Sequence, residues 1–64
     1  MTPEEKARAR AVLYRMEVAA AAAREALERD DYEATYECLY RIEGLLAKAR
    51  ARIWDAVLKG RWVI

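Results

Sequence analysis

Histidine, serine, asparagine, glutamine and phenylalanine are missing from this 64-residue sequence, and cysteine and proline each occur once. Without histidine there is no imidazole to activate a hydroxyl or a thiol, and no histidine-containing metal site. Glu17, Glu25, Glu28, Glu37 and Glu43 are numerous enough for a carboxylate-bridged dimetal bundle, but such sites need Glu-x-x-His pairs. The chain therefore reads as non-enzymatic, with no catalytic residue, no metal and no cofactor. Cys38 has no second cysteine to bridge within the chain, which fits a reducing compartment. It is either a small apolar filler or an exposed thiol open to reaction or to an intersubunit disulfide. The longest charge-free run, Val18 to Ala23, has six residues against the roughly 20 that cross a bilayer. No basic stretch leads into an apolar one at the amino end, so the expected location is cytoplasmic and no membrane contact is expected.

What is present is apolar and charged in balance: 56% hydrophobic, 36% charged, with 12 basic and 11 acidic residues for a net charge of +1. That balance excludes a disordered tail and a polycation. Fourteen residues are alanine, so side chains large enough to fill a core are few. Domains of this size hide only about 60% of their unfolded surface, and they recover the deficit with disulfides, metals or association. Association is the route this composition leaves open.

Thr2-Pro3-Glu4-Glu5 starts a helix: Thr2 caps, Pro3 stands where no amide partner is needed, and Glu5 follows the cap by three residues. Nothing interrupts it until Asp30-Asp31, where Asp30 with Glu33 repeats the cap-plus-acid pattern. The spacing predicts helix one over about 3–29, a turn at 29–31, helix two over 32–59, and a short apolar tail over 60–64 containing Trp62. Gly60 is the predicted terminator of helix two. A turn this short makes the helices antiparallel, so the fold is an all-α helical hairpin forming one domain.

Leu13, Met16, Ala20, Ala23 and Leu27 follow a 3,4 spacing, as do Tyr32, Thr35, Leu39, Ile42, Leu46, Ala49, Ile53 and Ala56. Val12, Ala19 and Ala26 widen the first stripe, and Cys38 and Leu45 widen the second. Stripes of this width suit a four-helix bundle better than a two-stranded coil, so two hairpins are expected to join as a homodimer. Charge sorts along the hairpin. The open end, residues 1–23 and 44–64, has nine basic against four acidic residues, whereas the turn end, 24–43, has three against seven. Antiparallel pairing of two hairpins sets each acidic turn beside a basic end.

Outside these stripes lie Tyr36, Tyr40, Ala47, Trp54 and Val57 on helix two. They are either half-buried rings at the margins of the dimer or, with Trp62, an aromatic patch for a different protein. Gly44, inside helix two, either admits another backbone or is simply tolerated. Arg8 and Arg15 stand seven residues apart on one face with Tyr14 beside them, a set suited to phosphate contact and base stacking. The five alanines 19–23 permit a close helix contact.

The opening Met1-Thr2 with Glu5-Lys6, the heptad stripes, and the turn carrying Asp30 and Glu33 ahead of Cys38 resemble the repressor-of-primer family, plasmid-encoded RNA-binding proteins. The resemblance implies a dimeric four-helix bundle and an RNA-contacting first helix with an aromatic near Tyr14. Three functions stay open: a self-associating module that binds or inhibits a larger protein, an RNA-binding modulator, and a structural or engineered bundle without a ligand.

Overall fold

In the computed structural model the backbone is described for residues 1–62 and the side chains for residues 1–60. The chain folds into two helices, α1 (Pro3–Glu28) and α2 (Tyr32–Trp62), packed as an antiparallel hairpin 52 × 17 × 12 Å across. Thr2 caps α1, its Oγ1 accepting from the Glu5 amide at 3.1 Å, and Pro3 occupies the first turn.

The turn closes in a Schellman pattern. The Asp31 amide donates to the Ala26 carbonyl at 2.9 Å and the Asp30 amide donates to that of Leu27 at 3.0 Å, with Asp30 left-handed at φ 58. Aspartate tolerates this conformation better than most residues because its short polar side chain can bond locally; here Asp30 Oδ1 accepts from the Tyr32 hydroxyl at 3.3 Å. The cap of α2 is Asp31 rather than Asp30, since Asp31 Oδ1 accepts from the Ala34 amide at 3.1 Å. Asp30 is taken up in terminating α1. Gly60 does not stop α2, which continues to Trp62. Its φ is not positive, so no left-handed cap forms, and a helical glycine costs only about 1 kcal/mol. The remaining residues of the predicted tail, Val63 and Ile64, lie outside the described residues.

The contact between the helices is built from small side chains. Ala9, Val12, Ala19, Ala23 and Ala26 of α1 and Leu45 and Ala49 of α2 are buried, with Met16, Thr35, Cys38, Ile42 and Ala56 half-buried. Val12, Leu45 and Ala49 form the central cluster, and Met16 packs against it. This seam is rotated one position from the predicted one. Ala19 and Ala26, expected at its edge, lie in it, while Leu13, Ala20, Leu27, Leu39, Leu46 and Ile53 do not. Alanine at the contact lets the helices approach closely; leucine there would hold them apart. Each stripe is wide enough to supply two contacts, and the hairpin uses only the narrow half.

Candidate functional site

Leu13, Ala20 and Leu27 recur every seven residues on α1, as do Leu39, Leu46 and Ile53 on α2, each one step beyond the seam in the same rotational sense. In an antiparallel pair that step brings both rows to the same broad side of the hairpin. The five large residues among them are between 42% and 51% exposed among the described residues. Of the predicted self-association residues, Met16, Ala23, Ile42 and Ala49 are spent on the intrachain seam. The other six make an open leucine face. Its edges carry Arg10, Glu17 and Arg24 on α1 and Tyr36, Glu43, Arg50 and Val57 on α2.

The opposite broad side carries Arg8 and Arg15 of α1 and Arg41 and Lys48 of α2, together with Glu25, Glu37 and Asp55 on the same heptad rows. An ion pair between described residues continues the α2 row: Lys59 Nζ is 3.3 Å from Asp55 Oδ2, both exposed. Sequence reasoning paired Arg8 with Arg15 but not with Arg41 and Lys48, because that grouping appears only once the seam fixes which residues share a side. Tyr14, 64% exposed, lies on the back of α1, about 100° round the helix from the Arg8 and Arg15 row.

Tyr40, Ala47 and Trp54 form a straight row on the face of α2 that points away from α1. Tyr36 and Tyr40 are each 70% exposed in the single hairpin, so packing among the described residues does not explain them. Ala47, Arg50, Ala51, Ile53, Trp54 and Val57 line a shallow groove, and Tyr36, Glu37, Tyr40, Arg41 and Gly44 line a second. A methyl group added at Gly44 would meet nothing within 4 Å, so within the hairpin no backbone approaches there. The glycine instead opens the notch beside Tyr40. The Trp62 side chain, predicted to join this patch, lies outside the described side chains.

Among the described residues no three acidic or thiol side chains gather as a metal site, and no helix is long and apolar enough to cross a membrane. Comparison with protein-family models, with curated proteins and with solved structures finds no match to this chain.

Proposed function

We propose that the chain is a non-enzymatic protein-interaction module that associates with itself and binds or inhibits a larger protein. The observation that carries this reading is the division of its exposed apolar surface into two patches. The leucine face is broad and flat, and suits another helical pair joining it as a four-helix bundle. The Tyr40–Trp54 row lies on a different side, so it stays available when the leucine face is covered. Rigid aromatic side chains of this kind tend to dominate interface energies. The unbridged thiol of Cys38 supports a cytoplasmic setting.

The test is capture by the immobilised chain. Replacing Tyr40 and Trp54 together with alanine should abolish retention of the partner while helicity and sedimentation stay unchanged. Retention that survives this change contradicts the aromatic assignment.

A second reading, an RNA-binding modulator of repressor-of-primer type, draws on Arg8, Arg15, Arg41 and Lys48 on one broad side with Tyr14 on the back of α1. Under that reading, mobility shift of an RNA hairpin is lost when Arg8 and Arg15 are replaced and falls steeply with salt through counterion release. It is indifferent to Trp54.

A further inference from the structure

We infer that the open leucine face seats a second copy of this chain with its turn at the opposite end, related by a two-fold axis at the level of Leu13 and Leu46. The inference rests on the self-association proposed above and adds the occupant's orientation and register. At about 1.5 Å per residue from the turn, Leu13 and Leu46 stand about 25 Å away, Ala20 and Leu39 about 14 Å, and Ile53 and Lys6 about 35 Å. On the edges, Glu17 and Glu43 stand about 20 Å from the turn, Arg10 and Arg50 about 30 Å, Tyr36 about 8 Å and Val57 about 40 Å.

A two-fold axis perpendicular to the helices at about 25 Å lies close to the middle of a molecule 52 Å long, so the two faces overlap except at Leu27, which at about 5 Å from the turn reaches past the start of α1 of the second copy. It stacks α1 on its own copy and α2 on its own copy. Leu13 and Leu46 then meet their counterparts in a central layer, and Leu39 meets Ile53 of the second copy. Ala20 leaves room for the aliphatic stem of Lys6 of the second copy. On the edges the same operation brings Glu17 to Arg10 of the second copy, Glu43 to Arg50 of the second copy, and Tyr36 to Val57 of the second copy. These three contacts are complementary, and Arg24 on the same edge comes opposite Pro3 of the second copy.

With both turns at one end, α1 stacks instead on α2 of the second copy and equal heights meet. Arg10 would then face Arg50, and Glu17 would face Glu43. The like charges oppose that arrangement, and the acidic turn ends would also lie together. Exposed pairs of this kind choose the orientation, while burial of the leucines supplies the affinity. A face of 52 by 17 Å is of the order of the roughly 800 Å² per partner that a stable interface covers. Tyr36 thereby belongs to the dimer edge, which leaves Tyr40 and Trp54 outside it.

Oxidative cross-linking of single-cysteine chains tests the register. In a Cys38→Ala background, Leu46→Cys should give a covalent dimer rapidly, because a disulfide needs the two Cα atoms within about 7 Å and only a residue near the two-fold axis meets its own copy. Leu39→Cys alone should not. If both turns lay at one end, Leu46→Cys alone would fail, and the combination Leu13→Cys with Leu46→Cys would cross-link. That result overturns the register while leaving self-association standing. Sedimentation equilibrium of the unaltered chain separates the two: a monomer at every concentration overturns both. Charge reversal gives an independent arm on surface positions. Glu43→Arg should weaken the dimer about 5- to 30-fold, since two edge pairs are reversed, and Glu43→Arg with Arg50→Glu should restore it. With turns together Glu43→Arg would face Glu17 and tighten the dimer, contradicting the inference.

Discussion

The seam between α1 and α2 and the leucine face beside it use apolar residues in opposite ways. Five of the seven buried residues are alanine, while leucine and isoleucine stand exposed on the neighbouring side. A hairpin stabilised on its own would place its large side chains inside. This one uses alanine to bring two helices together and holds its leucines outside. Under the proposed self-association, the seam sets the shape and the outer face supplies the stability.

The sharpest way to break that comparison is a charge on the leucine face. Leu46→Asp places an unpaired carboxylate where burial is proposed, and should cost several kcal/mol of assembly, with helicity and association lost together on dilution. In a chain that is stable as a monomer the same change would be almost silent, because Leu46 is already 42% exposed there. Circular dichroism at several concentrations reads the difference.

Two adjacent leucines sharpen it further. Leu45 lies in the seam and Leu46 on the open face. Leu45→Ala should cost about 2–3 kcal/mol by leaving a cavity beside Val12 and Ala49, a defect carried by each hairpin itself. Leu46→Ala should act through the association constant, so its shift in melting temperature should be small at low protein concentration and rise to a plateau once the chains are associated. Equal dependence on concentration would erase the distinction between the two surfaces.

Overpacking probes the seam from the other side. Ala19 is 3% exposed, and Ala19→Leu should destabilise by about 1–3 kcal/mol by forcing the helices apart. Ala20→Leu, one residue along and exposed, should be tolerated far better by the hairpin. Thermal unfolding of the pair checks this.

The turn should give the smallest effects. Asp31→Ala removes the cap on the Ala34 amide and should cost about 1 kcal/mol. Asp30→Gly should be neutral or gain up to about 1 kcal/mol, because glycine takes the left-handed conformation without a Cβ clash. A clear loss on Asp30→Gly would mean that the Asp30–Tyr32 hydrogen bond outweighs that relief.

The hairpin itself was legible from local signals: the Thr2 cap, Pro3, the paired aspartates and the 3,4 spacing each act over a few residues. The phase of the seam was not. Leu13 and Val12 both satisfy a heptad, and so do Leu46 and Leu45; only the approach distance between two helices decides which of each pair faces inward. A strong left-handed aspartate also escaped, since Asp30 and Asp31 offer the same cap chemistry and the Schellman bonds to Ala26 and Leu27 select between them. The grouping of Arg41 and Lys48 with Arg8 and Arg15 depended on the seam in turn, because it appears only when the rotation of α2 is known. Gly60 misled because a helix-ending glycine needs a left-handed backbone, and residue type alone does not create one.

Sedimentation equilibrium across nanomolar to high-micromolar concentration addresses the central claim, that the leucine face is an interchain surface. The account predicts a species of twice the 7.4 kDa chain mass at micromolar concentration, converting to unfolded monomer on dilution and abolished by Leu46→Asp. A cooperatively folded 7.4 kDa monomer, unaffected by Leu46→Asp, would contradict it.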